Sequence, residues 1–343
     1  MKPPEPHGSA AAPKLETIGL VVIGRNEDDR LQRCLDSLPA GTGGSVYVDS
    51  GSSDGSPERA RRRGLDVLEL DASTPFSAAR ARNEGFEHLL RRRSALESVF
   101  FLDGDCSLVD GWLEAAADAL AAHPDWVAVC GWRRERQPEG SLYNRLCDLE
   151  WRTPPTGEVG DLGFGGDVLI RVAAFQAAGG YDPGLIAGED PELSARLRLA
   201  GGRIVRLDRA MTEHDADIRH LASWWLRSVR AGHAFAEVGF RHRDRGLFAR
   251  NLRSTLLWGL GVPLGALVIA AWQPLVGLAW LAAAPLQALR VAWGMDPAAF
   301  DRSERLLWGA SCVISQVPKL WGTVQFHTNR LLGRRRRLIE YER

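Results

Sequence analysis

Val99-Phe100-Phe101-Leu102 is an unbroken apolar run that stops at Asp103-Gly104-Asp105. Apolar side chains at every position, not every second one, are what a strand buried on both faces of a parallel sheet requires. In open α/β sheets ligands bind beyond the carboxyl ends of the strands, which places Asp103 and Asp105 at the edge of a cleft. Two hard oxygen donors suit Mg²⁺ or Mn²⁺, and such an ion in turn bridges the oxygens of a diphosphate. Gly104 carries no side chain to hold the backbone away from a ligand. By itself a D-x-D sequence is equally the solvated acidic turn after a strand, so its meaning depends on the segments around it.

Those segments alternate in kind. Residues 17–23 (TIGLVVI) form an apolar, β-branched run followed by Gly24-Arg25-Asn26-Glu27, and Leu31, Cys34, Leu35 and Leu38 then recur at helical spacing. Residues 46–48 predict a second strand, ending in Asp49-Ser50-Gly51-Ser52-Ser53-Asp54-Gly55-Ser56, with Ser56 as N-cap and Pro57 in the first helical turn. Residues 65–70 predict a third strand, and residues 76–93 a helix with Arg80 and Arg82 on its polar face. The 99–105 strand is the fourth. Strand–helix alternation of this kind predicts a parallel sheet with right-handed crossovers. Asp49 then ends its strand as Asp103 does, suited either to a nucleoside hydroxyl or base or to capping its own turn.

Further along, residues 112–122 predict a helix and residues 126–130 a strand. The glycine-dense stretch 160–171 precedes another strand and allows close backbone approach to a ligand. Glu189-Asp190 opens a helix bearing Leu193, Leu197 and Leu199. Carboxylates there suit the helix dipole, and equally suit a general base taking a proton from an attacking hydroxyl. His214 stands alone in Met211-Thr212-Glu213-His214-Asp215, compatible with a structural role or with ligation.

Five stretches together, V-V-I-G-R-N-E (21–27), V-D-S-G-S-S-D-G-S (48–56), A-R-A-R-N-E-G (79–85), D-G-D (103–105) and G-E-D-P-E-L (188–193), resemble in content and order the family 2 glycosyltransferases. The resemblance spans 17–235. It implies the GT-A fold, a Rossmann-like, mostly parallel sheet flanked by helices, and inverting transfer from a nucleoside-diphosphate sugar, most commonly a UDP-sugar. It also implies a divalent metal, Mn²⁺ or Mg²⁺. By that resemblance Arg25, Asn26 and Glu27 form the first loop of the nucleotide site and Asp49 recognises the base. Arg80 is a donor-site cation, Asp103 contacts the ribose and Asp105 ligates the metal. Asp190 is the general base with Glu189 beside it, and His214 is a further metal or diphosphate ligand. The Q-x-x-R-W motif of processive members is absent, which implies non-processive transfer. Arg227 and Arg230 lie in the comparable region, suited to a diphosphate or to an interfacial helix.

No charged residue occurs between Ser254 and Leu289. That is too long for one membrane span of about 20 residues and long enough for two short ones. Gln273-Pro274 divides it, predicting a helical hairpin of 254–272 and 274–289. Arg241, Arg243, Arg245, Arg250 and Arg253 precede it and Arg290, Arg302 and Arg305 follow, so both flanks are expected at the cytoplasmic face of the inner membrane. Residues 306–323 are expected as an amphipathic helix in the interface, with a re-entrant or buried core helix left open, and Arg334-Arg335-Arg336-Arg337 as an anchor to anionic lipid.

The expected organisation is therefore a disordered tail (1–16) without a signal-peptide core, a GT-A domain (17–235) and a basic juxtamembrane segment (236–253). Two transmembrane helices (254–290) and an interfacial helix with a basic tail (291–343) complete it. Lys+Arg and Asp+Glu balance at 43 each, so no global field favours nucleic acid. Five cysteines without a C-x-x-C pair fit reduced thiols better than a disulfide framework. The expected partners are the nucleotide-sugar donor, a lipid or glycan acceptor and membrane lipid. A non-catalytic subunit that keeps the fold to scaffold a glycan-assembly complex is the alternative. A nucleotidyltransferase is disfavoured, because Gly24-Arg25-Asn26-Glu27 is a poor glycine-rich phosphate loop.

Overall fold

The structure is a computed structural model and describes residues 15–334. Most of the expected tail (1–14) and Arg335, Arg336 and Arg337 lie outside the described residues. Residues 15 and 16, expected in the tail, instead form a short 3-10 turn with Thr17.

The first four strands follow the apolar runs. They are β1 (Ile18–Gly24), β2 (Gly44–Asp49), β3 (Asp66–Glu69) and β4 (Ser98–Asp103). Between them lie α1 (Asp29–Asp36), α2 (Ser56–Arg62) and α3 (Ala78–Arg92). Ser77 caps α3 by accepting from Arg80 N, while α2 takes Gly55, at φ 81°, as its N-cap in place of the expected Ser56. Then come β5 (Cys106–Leu108), α4 (Trp112–Ala122), β6 (Trp126–Glu135) and α5 (Leu142–Arg152). Next are β7 (Gly157–Glu158), β8 (Val168–Arg171), α6 (Val172–Ala177), α7 (Glu189–Leu199) and β9 (Arg203–His214).

The strand order is β3-β2-β1-β4-β8-β6-β9-β5, with β7 on β9. The expected parallel order holds from β3 to β4. Beyond β4 the sheet is mixed, because β8 runs antiparallel to both β4 and β6. That direction brings the start of β8 beside the end of β4. Phe100 and Phe101 are fully buried at the sheet centre, each contributing about 2 kcal/mol through apolar burial.

The expected boundary at residue 235 falls inside α8 (Leu221–Arg241), which ends just before the turn at Gly246. Two long apolar helices follow, α9 (Ala249–Ala270) and α10 (Pro274–Trp293), each of mean hydropathy 1.5 and each long and apolar enough to cross a membrane by length and composition. The hairpin expected from Gln273-Pro274 is present, but α9 starts earlier than residue 254 and includes Arg250 and Arg253. A π-helical turn interrupts α9 at Leu257–Gly261, where Pro263 offers no N–H to the carbonyl of Gly259.

Residues 306–323 are two helices, α11 (Arg302–Ile314) and α12 (Gln316–Leu331), not the single interfacial helix expected. The cause is Pro318, which cannot donate to the carbonyl of Ile314, so the helix ends there and restarts. Nor does α12 lie free, since its inner face packs on α8 at backbone distance. A Cβ on Gly232 would overlap the Lys319 carbonyl, and one on Gly322 would overlap the Val229 carbonyl and approach His233 N at 2.7 Å. Gly277 against Ala266 and Ala270, and Gly309 against Ala288, set the same close approach between α9 and α10 and between α10 and α11. The outer faces stay apolar and bare, with Trp272 85% and Leu275 82% exposed.

Substituting Gly322→Val therefore forces α12 off α8. The expected cost is about 1–3 kcal/mol from overpacking, read as a lower denaturation midpoint of the detergent-solubilised protein.

Candidate active site

The loops after β1 and β2 are tied into one wall. Asn26 at φ 55° and Asp28 at φ 46° hold the first loop in the left-handed region, which Asn and Asp tolerate better than most residues. Asn26 N donates to Ser52 Oγ at 2.9 Å, Ser53 N donates to Asn26 Oδ1 at 2.8 Å, and Asp28 N donates to Asp54 Oδ2 at 2.8 Å. Arg25, Asn26 and Glu27 all line the cleft beyond this wall, and Arg25 lies over the Phe76 ring. Asp49 is buried behind it. Its carboxylate accepts from Gly51 N (2.9 Å), Ser52 N (2.8 Å) and the Tyr47 hydroxyl (3.1 Å), shaping the turn, while Ser50 reaches the cleft.

Arg80, expected as the donor-site cation, points away from the cleft. It pairs with Glu84 at 2.6 Å and donates to the carbonyls of Asp71 and Thr74. Arg82 is the arginine of α3 that enters the cleft, against the expectation that it sits on the polar face. Ala79, Arg82, Phe86 and Leu89 recur at helical spacing and are all buried, so Arg82 belongs to the inward stripe.

Arg82 is the hub. Nη2 donates to Asp103 Oδ1 at 2.7 Å, and Nη1 lies 3.2 Å from Glu189 Oε1 and 3.4 Å from Asp190 Oδ1. Asp103 Oδ2 meets Arg133 Nη2 at 3.2 Å, and Asp103 N donates to the fully buried Asp167. Asp167 in turn accepts from Arg133 (2.8 Å) and the Thr212 hydroxyl (2.7 Å). Burial alone would raise the Asp103 carboxyl, but the Arg82 and Arg133 guanidiniums outweigh it and hold it down at about 2. For Asp190, burial wins. With Glu189 and Asp103 adding repulsion against the pull of Arg82, its carboxyl is pushed up to about 7.

Glycines make the crowding feasible. Gly188, at φ 84°, caps the start of α7 so that Glu189 and Asp190 face the cleft. A Cβ on Gly166 would overlap Asp103 Oδ2 and come within 2.7 Å of Arg133 Nη2, so the glycine-dense stretch does permit a close approach. Gly104 does so toward β1, with its N–H donating to the Ile23 carbonyl at 2.7 Å.

The D-G-D turn meets β9 through β5, which pairs Cys106 opposite His214. His214 Nε2 lies 3.3 Å from Asp105 Oδ2, and its Nδ1 is buried without a hydrogen-bond partner among the described residues. Burial pushes the imidazole down, against the pull of Asp105, so the ring is neutral as a metal ligand must be. Ligand atoms of Asp105, Cys106 and His214 all lie within 4.8 Å of one another. A carboxylate, a neutral imidazole with an orphaned nitrogen and a thiol fit a divalent ion.

Trp151 of α5 and Arg227 and Arg230 of α8 complete the rim of a cavity of about 690 Å³, and Glu150 pairs with Arg227. The cleft thus gathers Arg25, Asn26, Glu27, Asp103, Asp105, Glu189, Asp190 and His214, and leaves Arg80 and Asp49 outside its lining. Arg82, Arg133, Asp167 and Trp151 are the residues that sequence reasoning missed. Only for Arg82 did the spacing hold a usable signal.

The glycosyl transferase family 2 model matches residues 20–177. The succinoglycan biosynthesis protein ExoA of Rhizobium meliloti (strain 1021) is 29% identical over 250 residues, covering 70% of this chain and 71% of that protein. A pre-mycofactocin glycosyltransferase of Mycobacterium tuberculosis (strain ATCC 25618 / H37Rv) is 26% identical over 283 residues, 78% of this chain and 58% of the relative's own length. Among solved structures, a mannosyltransferase from Pyrobaculum calidifontis in complex with GDP-Man and Mn²⁺ aligns with a TM-score of 0.57 at 20% identity. The alignment covers 92% of this chain and 88% of that one. TarS (residues 1–349) from S. aureus aligns with a TM-score of 0.51 at 16% identity, over 90% of this chain and 91% of that one. The fold is GT-A, and residues 20–177 carry the match to the glycosyl transferase family 2 model.

Proposed function

We propose that this chain is a family 2 glycosyltransferase, an inverting, metal-dependent enzyme transferring a sugar from a nucleoside-diphosphate sugar, most simply a UDP-sugar, to a hydroxyl or phosphate of a lipid or glycan. The observation that carries this reading is the convergence on Arg82 of Asp103, from the D-G-D strand, and of Glu189 and Asp190, from the start of α7.

Asp105 and His214 would hold the divalent ion, with Arg25, Asn26 and Glu27 along the nucleotide and Asp103, kept ionised by two arginines, on the ribose. The bound ion supplies charge stabilisation for the departing diphosphate. Asp190, whose carboxyl titrates near neutrality, takes the proton of the acceptor hydroxyl as that oxygen attacks C1 on the face opposite the diphosphate. Glu189 keeps proton affinity on Asp190 by repulsion, while Arg82 fixes its direction.

The apolar hairpin α9–α10, its exposed apolar outer faces and the arginines at its ends support anchorage in the inner membrane, with the cleft at the cytoplasmic face. Lipid or lipid-linked acceptors suit that placement.

Titrating the detergent-solubilised protein with UDP, GDP and their sugars, with Mn²⁺ and with EDTA, tests the donor. We expect metal-dependent binding of one nucleotide, lost in Asp105→Ala. Absence of any binding by folded protein would favour the scaffold reading.

The base makes two linked predictions. Turnover climbs as pH rises through about 7, and Asp190→Asn lowers kcat by at least about 10²-fold at every pH. Because folding raises this carboxyl above its usual value near ~4, its contribution to stability is present at low pH and lost as pH rises through about 7. Asp190→Asn is therefore expected to gain thermal stability relative to the wild type above pH 7, read from unfolding midpoints across the pH range. Gly166→Ala, which drives Asp103 from Arg133, should cost at least about tenfold in kcat/KM, equivalent to ~1.4 kcal/mol.

A further inference from the structure

Cys106 Sγ is the atom shared by the two groups of potential ligands in this cleft. One is Asp105, Cys106 and His214, the other Asp103, Cys106 and Asp167. Its position follows from the sheet. Cys106 and His214 are directly opposite partners of the antiparallel β5–β9 pair, so their side chains share a face at short range. The D-G-D turn then folds Asp105 back over both, with Asp105 Oδ1 3.7 Å from Cys106 Sγ and Asp105 Oδ2 3.3 Å from His214 Nε2. Ligands bonded at about 2.0–2.3 Å around a tetrahedral ion sit roughly 3–4 Å apart. Asp105 and His214 keep a tenth or so of their side-chain surface toward the cleft, while Cys106 is wholly buried beneath them. An ion entering from the cleft would meet the oxygen and nitrogen first and the sulfur at the floor.

Resting on the metal-dependent reading above, we propose that Cys106 is a thiolate ligand of the divalent ion. With Asp105 and His214 it makes a mixed oxygen–nitrogen–sulfur site that prefers Mn²⁺, Co²⁺ or Zn²⁺ to Mg²⁺. Binding replaces the S–H bond by an S–metal bond and releases the proton to solvent. A thiolate and an imidazole are softer donors than the oxygen ligands Mg²⁺ favours, so the sulfur tilts selectivity along the series towards the later metals.

Cobalt substitution of the full chain in detergent tests this. Co²⁺-loaded wild type should show a near-ultraviolet sulfur-to-cobalt charge-transfer band. Cys106→Ser should bind Co²⁺ without that band, and its Zn²⁺ affinity should fall by at least about tenfold while its Mg²⁺ affinity is unchanged. Circular dichroism of Cys106→Ser, and a second variant, Cys106→Ala, separate a lost ligand from a lost fold. Co²⁺ bound to the wild type without the band, or a band that persists in both folded variants, overturns the thiolate proposal and leaves the metal-dependent reading intact. Failure of the folded wild type to bind Co²⁺, Mn²⁺ or Zn²⁺ overturns both.

Discussion

One buried guanidinium, that of Arg82, answers to three carboxylates, and the rest of the cleft is arranged around that shortage. Asp103 comes from the end of β4, Glu189 and Asp190 from the first turn of α7, and none of the three has Arg82 to itself. Removing the cation from such a cluster would leave uncompensated buried charge, which is far more costly than the loss of a surface pair. The sharing also sorts the acids. Asp103 has Arg133 as a second cation and is held ionised, whereas Asp190 has a carboxylate neighbour and keeps affinity for a proton near neutral pH. Two acids pushed apart by their surroundings can hold different protonation states at one pH, which suits the separate roles proposed for them.

The parts of this arrangement that can be read from the chain are those written as local patterns. The apolar runs of β1, β2 and β4, the turn residues after them and the carboxylates that open α7 each carry a signal in a few consecutive residues. Strand direction does not. The stretch 160–171 reads as glycine-dense backbone ahead of a strand, but nothing local says that its last residues form β8 antiparallel to β4, and it is this direction that delivers Gly166 and Asp167 to the D-G-D turn. Arg133 escapes for a related reason. Residues 126–130 end the apolar run, whereas the pairing with β9 carries β6 on to Glu135 through register irregularities. Arg80 and Arg82 differ in kind, since the stripe through Ala79, Phe86 and Leu89 already distinguishes them. Pro318 likewise marks the break between α11 and α12.

The C-terminal helices reach the cleft through the elements they brace. α12 lies on α8, which carries Arg227 and Arg230 to the rim. α11 is joined to α5, the source of Trp151, by the Arg152–Glu304 ion pair at 2.8 Å, and Arg152 also lies over Phe300 in the turn leading into α11. Lys319 of α12 is half-buried near Glu150, the partner of Arg227. The side of the cleft facing away from the loops after β1 and β2 is thus built on helices that the apolar hairpin continues.

This construction accounts for the two unlike faces of the helical part. The inner faces carry glycines because backbone meets backbone there, at Gly232 with Lys319, Gly322 with Val229 and Gly309 with Ala288, and no side chain fits between. The outer faces carry leucines and tryptophans that are largely exposed among the described residues. Water alone would penalise that surface by about 25 cal/mol for each Å² of apolar area left exposed, which favours an apolar medium around the hairpin. If that medium is the bilayer of the proposed placement, α8 and α12 meet its boundary while Arg227 and Arg230 face the cleft. An acceptor held in the membrane would then approach the cleft from the rim that carries Arg227 and Arg230, the side that the close glycine contacts between α8 and α12 brace.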